Sequence, residues 1–146
     1  MPKYKNHLMK IPQILTQTYA TFAFLPIRLC VGLLMIKAGA GKLFGVFGGS
    51  GLKGFAGYME TLGLEPPLLM ASLAAGAEFF GGICLIIGFV TRFSALSITI
   101  TMAVAAFVAH AGDFDKMTLP LVLMFASLAL VIGGAGKCSL DYRNRG

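Results

Sequence analysis

The chain has 146 residues, of which 57% are hydrophobic and 12% charged, with no Trp, a mean hydropathy of +0.82 and a formal net charge of +6. A soluble domain carries charge on about a quarter of its residues, so half that fraction cannot coat a water-facing surface, and an ordinary soluble enzyme is excluded. The 12 Lys and Arg outnumber the 6 Asp and Glu but are scattered, mostly at the ends of apolar runs, so no nucleic-acid partner is expected and the lipid bilayer is the expected solvent.

In chain order, a basic segment over 1–19 with Lys3, Lys5 and Lys10 precedes a first apolar run at 20–38. Ala38-Gly39-Ala40 has the small-x-small pattern of a signal-peptide cleavage site. The leader would be unusually long and is interrupted by Arg28, so the run is expected to stay in the chain. Three further apolar runs follow at 68–90, 93–111 and 117–135, ahead of a tail at 136–146. Each run falls within the roughly 17–25 residues that cross a bilayer as helix, and none alternates with the period of two that a barrel strand needs. The expected fold is all-α, a transmembrane four-helix bundle in one domain spanning 1–146.

The segment between the first two runs is the only long one. Leu52, Phe55, Met59 and Leu62 recur at helical spacing with Lys53, Gly57, Glu60 and Thr61 opposite, which predicts a short amphipathic helix at the outer interface, capped by Gly63. Two readings of it stay open, packing at the interface or a lid over the mouth of the bundle. Gly49-Ser50-Gly51-Leu52-Lys53-Gly54 matches G-x-G-x-x-G by chance, since no strand precedes it. Gly-Ala-Gly-Lys occurs at Gly39 to Lys42 and again at Gly134 to Lys137, each just after an apolar run, and is read as a helix end.

An even number of spans brings both termini to one side. Lys3, Lys5, Lys10, Arg92, Lys137, Arg143 and Arg145 flank that side, against Lys42, Lys53 and Lys116 on the other, which points both termini to the cytoplasm. Cys30, Cys84 and Cys138 lack C-x-x-C spacing and are expected to be free thiols. With only His7 and His110, no metal site is expected.

Ionisable groups inside apolar runs carry the functional signal, because a charge near the bilayer centre costs at least about 2.5–3.5 kcal/mol. Arg28 shares a helical stripe with Gly32, Met35 and Gly39, Glu78 with Ala71, Ala75 and Gly82, and His110 with Thr99, Ala103 and Ala106. Small residues let helices approach, so these faces are expected to point inward. At about 1.5 Å per residue Arg28 lies about 12 Å and Glu78 about 18 Å from the cytoplasmic end, close enough for an ion pair between the first two spans. Glu78 is alternatively a proton-handling or ligand-binding carboxylate. The candidate site residues are Arg28, Lys42, Glu78 and His110, with Tyr58 of the amphipathic segment over the opening.

These motifs resemble the DoxX family of small four-span membrane proteins. The resemblance rests on Arg28 with Gly32, on Gly39-Ala40-Gly41-Lys42-Leu43-Phe44-Gly45, and on Gly57-Tyr58-Met59 and Leu62-Gly63-Leu64. It continues through Glu78-Phe79-Phe80-Gly81-Gly82, Gly88-Phe89-Val90-Thr91-Arg92, Met102 with Ala105 and His110, and the closing Gly136 to Asp141. Members commonly have His before the Gly-x-x-Lys-Leu motif, where this chain has Ala38. The resemblance implies a protein of the bacterial cytoplasmic (inner) membrane, often linked to redox metabolism, with relatives among thiosulfate:quinone oxidoreductase subunits.

The chain shows no haem-ligating His pair at matched depth, flavin fingerprint or cluster-binding Cys set, so an electron carrier would be a bound small molecule or a partner. The leading expectation is a redox-associated component that binds a quinone between its helices and works with partner oxidoreductase proteins, as a subunit of a complex or a homo-oligomer. The rival is a non-catalytic scaffold or assembly factor in which the same residues only lock helices. A small transporter is the weaker third reading, since nothing suggests inverted repeats or broken helices.

Overall fold

Most helix boundaries follow from glycine, proline and aspartate. The structure, a computed structural model, describes residues 23–136 and 138–143. Helix α1 spans Phe24–Phe44 and stops at Gly45, whose φ of 71° is left-handed and whose N–H donates to the Gly41 carbonyl. Helix α2 spans Gly51–Thr61. It ends in a Schellman motif on Gly63 (φ 72°), with the Gly63 N–H on Glu60 O and the Leu64 N–H on Met59 O. Pro67 opens α3 at Pro67–Ile87, where a missing N–H costs nothing, and Gly88 closes it at φ 74°. Helix α4, Thr91–Val104, runs on into a π-helical turn at Ala105–Ala109. Asp113 caps α5, Phe114–Gly133, by accepting the Lys116 N–H at 3.3 Å, and a short α6 at Leu140–Arg143 ends the described chain.

All regular structure among the described residues is helical, and four helices are long and apolar enough to cross a membrane: Phe24–Phe44, Pro67–Ile87, Thr91–Ala109 and Phe114–Gly133. The last three lie within three residues of their expected bounds. The first is displaced, ending at Phe44 rather than at 38, while its expected start at 20 lies outside the described residues. Gly39 to Gly41 therefore lie inside the helix rather than at its end, while Lys42 does stand in the last turn. The glycines serve packing: a Cβ on Gly39 would stand 2.5 Å from the Phe79 backbone nitrogen, and one on Gly82 would stand 2.8 Å from the Gly32 carbonyl. The backbones of α1 and α3 meet there, as small-residue stripes allow in lipid.

Helix α1 packs chiefly on α3, α3 on α4, α4 on α5, and α5 more loosely back on α1, closing a ring of four. Val31, Met35, Leu85, Ala95, Ile98, Met102, Leu123 and Leu130 fill its centre. Leu33, Leu73, Phe93, Phe125 and Ile132 point outward, the arrangement expected where the solvent is hydrocarbon. The ring has a termini end, where α1 starts and α5 finishes, and a loop end. At the loop end α2 lies on α3, with Phe55, Ala56 and Met59 packed against Ala71 and Ala75. The expected apolar face of α2 is the buried one.

The stripes through Arg28 and Glu78 are buried as expected. That of the third span is displaced: Ser94, Ala95, Ile98, Met102 and Ala106 are buried, whereas Thr99 and Ala103 are only half-buried. Counting back from His110 at α-helical spacing missed the extra residue of the π turn, where the His110 N–H reaches Ala105 O.

Candidate functional site

Arg28 sits one turn into α1 at the termini end and is 1% exposed. Its Nε donates to Leu85 O at 2.9 Å and Nη2 to Ile86 O at 3.0 Å, two of the α3 carbonyls that have no partner within the helix. Its Nη1 donates to Ala135 O at 2.6 Å and Cys138 O at 2.9 Å beyond α5. The planar fork thus ties three segments with four bonds. Beside it the chain turns at Gly88, where a Cβ would collide with the guanidinium. The Asp141 carboxylate accepts the N–H groups of Val90 and Thr91, both at 2.8 Å, and so caps α4 from the far end of the sequence. Val90 has φ 46°, a strained value for a β-branched residue that costs about 1–3 kcal/mol and that Asp141 holds in place.

Lys42 and Glu78 form the second polar centre, near the loop end. The Glu78 side chain is fully buried and Lys42 is 28% exposed, and Lys42 Nζ donates to Oε1 at 2.5 Å and Oε2 at 2.8 Å. Lys42 also lies 4.8 Å from the Phe55 ring centre, a cation–π contact. The expected Arg28–Glu78 pair is thereby corrected. Arg28 takes backbone carbonyls at one end of the bundle, and Glu78 takes Lys42 toward the other.

Lys42, Tyr58, Glu78 and His110 share one cavity of about 470 Å³ between α2, α3, α4 and the π turn. Phe55, Met59, Leu62, Met70, Ala77, Val104 and other apolar side chains make most of its wall, and the Ser97 and Thr101 hydroxyls add two polar points. Tyr58 Oη donates to Ala109 O at 3.3 Å, tying α2 to the π turn. Leu73 of α3, 60% exposed, and Ile100 of α4, 57% exposed, also line it, so its mouth opens sideways between those helices toward lipid. Four of the five expected site residues are therefore brought together, and Arg28 stands apart. Phe55 and Asp141 were not among the expected residues. Phe55 is three positions before Tyr58 on the apolar face of α2, which is the signal that finds it, whereas nothing local marks Asp141 as the cap of a helix about 50 residues upstream.

His110 is half-buried, and its carbonyl accepts the Asp113 N–H. In the following turn Asp113 pairs with Lys116 at 2.7 Å, and the hydrogen bonds from Lys116 hold its carboxyl below the usual carboxylate range. All three cysteines are free. Among the described residues no group of three His, Cys, Asp or Glu could hold a metal ion.

Residues 23–111, from the start of α1 to the residue after His110, match the DoxX family. The chain belongs to the DoxX family. This DoxX protein is similar over most of its length to inner membrane proteins of Escherichia coli. YqjF is 31% identical over 119 residues, 78% of this chain and 85% of that one. YphA is 32% identical over 124 residues, 76% and 89% of the two chains. An uncharacterized protein of Haemophilus influenzae is 42% identical over 74 residues, 47% of this chain and about half (49%) of its own length. No solved structure matches. With four apolar helices, the DoxX chain is a multi-pass protein of the bacterial inner membrane.

Proposed function

We propose that this DoxX protein is a redox-associated membrane component that takes an uncharged, lipid-soluble molecule bearing carbonyl groups, such as a quinone, into the cavity of Lys42, Tyr58, Glu78 and His110. The carrying observation is the cavity itself: about 470 Å³, mostly apolar, with polar groups at a few points and a mouth toward lipid. Small-molecule sites generally have that size and composition, and a hydrophobic ligand dissolved in the bilayer would reach it without crossing water. Lys42, Tyr58 and His110 are suited to donate hydrogen bonds to carbonyl oxygens, and Glu78 to hold a proton beside them. A quinone would supply two-electron redox chemistry, with electrons passing to or from a partner oxidoreductase protein.

Quinone analogues added at about 100 times their dissociation constant are expected to stabilise purified wild type by about 2.7 kcal/mol, read as a raised melting temperature. A folded Glu78→Gln, His110→Ala variant is expected not to respond. If no quinone shifts the wild type and none co-purifies, the scaffold reading takes over. One observation favours that rival: Glu78 is already matched by Lys42, and four of the five guanidinium N–H groups of Arg28 are bonded to backbone carbonyls, so both are accounted for as locks.

The excess of basic residues beside the termini supports a cytoplasmic location for both. Cys138, and a Cys introduced as Arg145→Cys, are then expected to resist a membrane-impermeant thiol reagent in intact cells and to react once the membrane is opened. Rapid labelling of either in intact cells reverses the orientation.

A further inference from the structure

We infer that the groove between α1 and α5 at the loop end seats one anionic phospholipid, its phosphate against Lys37 and an acyl chain along Leu34, Leu119 and Leu123. The groove is a second cavity, about 540 Å³, which shares Lys42, Phe55 and Tyr58 with the first as a common wall but opens on the other flank of the bundle, where α5 packs only loosely on α1. Leu34 and Leu119 are exposed on either side, so the opening faces hydrocarbon. Val46 and Phe47 of the α1–α2 loop line its upper end and are exposed themselves, as befits side chains at the boundary of head groups and acyl chains.

Charge selects the occupant. Lys37 is an exposed cation inside an apolar span, seven residues and so about 10 Å before the end of α1. Among the described residues it makes no ion pair, and no carboxylate lines the groove. The other cation there, Lys42, is matched by Glu78. A long lysine stem lets the ammonium rise toward the head groups while its methylenes stay in lipid. A phosphate there would neutralise Lys37, with the Ser50 hydroxyl at the groove's upper end as a further donor. A zwitterionic lipid offers the same phosphate beside its own cation and is expected to bind less well.

Wild type, Lys37→Gln and Lys37→Arg, purified in mild detergent, separate the outcomes. Phosphatidylglycerol is expected to raise the wild-type melting temperature by several degrees and to remain as one lipid per chain in native mass spectra. Lys37→Arg should keep both effects, and Lys37→Gln should lose both while melting normally without lipid, since the side chain is exposed. Phosphatidylcholine should do markedly less and inorganic phosphate nothing. An equal response to phosphatidylcholine, a phosphate response matching that of the lipid, a response retained in Lys37→Gln, or no response in the wild type each overturns the assignment.

Discussion

Replacing Arg28 by Ala is expected to be the most damaging single change in the described chain, costing on the order of 3–5 kcal/mol and lowering the melting temperature in detergent by roughly 10 °C. Four carbonyls lose their donor at once, two on α3 and two beyond α5, and hydrogen bonds to charged groups contribute about 1.5–3 kcal/mol each before other terms oppose them. Arg28→Lys should recover only part of the loss, because an ammonium has three donors on a flexible stem and cannot reproduce a planar fork. The check is thermal unfolding of the two variants beside wild type. A loss below about 1 kcal/mol for Arg28→Ala would mean that water replaces the guanidinium at these carbonyls.

The Lys42–Glu78 pair is expected to show the second largest effect, and an asymmetric one. Lys42→Met leaves a fully buried carboxylate without its partner, a situation that costs about 3–5 kcal/mol. Glu78→Gln leaves a lysine that is 28% exposed and can turn toward water or head groups, so its cost should be smaller. The double variant should be more stable than Lys42→Met alone, with a coupling of at least about 1 kcal/mol in a double-mutant cycle. Additive losses would show that the close contact contributes nothing to holding α1 on α3.

Membrane spans are legible in this sequence because hydrocarbon demands long uninterrupted apolar runs, and the amphipathic face of α2 is legible because its loop-end packing follows helical spacing. Gly39 was legible as a packing residue but misleading as a helix end. A glycine where two helices touch and a glycine where one stops look alike until the neighbouring backbone is known. Glu78 and His110 were found from residue type, since polar groups in apolar surroundings are costly enough to be retained only where something holds them, whereas Lys42 and Tyr58 were found from their place at the outer end of the bundle. Their partners were harder to find. Arg28 was matched to a carboxylate because carboxylates have letters in the sequence, whereas the carbonyls that hold it belong to Leu85, Ile86, Ala135 and Cys138, whose side chains say nothing about them. His110 was found as a cavity residue but the stripe that leads to it was not, because one π turn rephases everything that precedes it.

Arg28 is synthesised well before the groups that hold it. The two carbonyls on its Nη1 lie 107 and 110 residues downstream, which at roughly 5–20 residues per second is a wait of roughly 5–20 s on the ribosome. Through that interval the guanidinium has to stay at the membrane surface, and its place only one turn into α1 permits this without dragging the helix out of the bilayer. Completion of α3 fills half of the fork, and the other half stays open until α5 has crossed and the chain has turned back on itself. Asp141 arrives later still to finish the start of α4. Closure of the ring at this end therefore has to wait for the segment from Ala135 to Asp141, and a nascent chain cut short before Ala135 lacks both acceptors for Nη1.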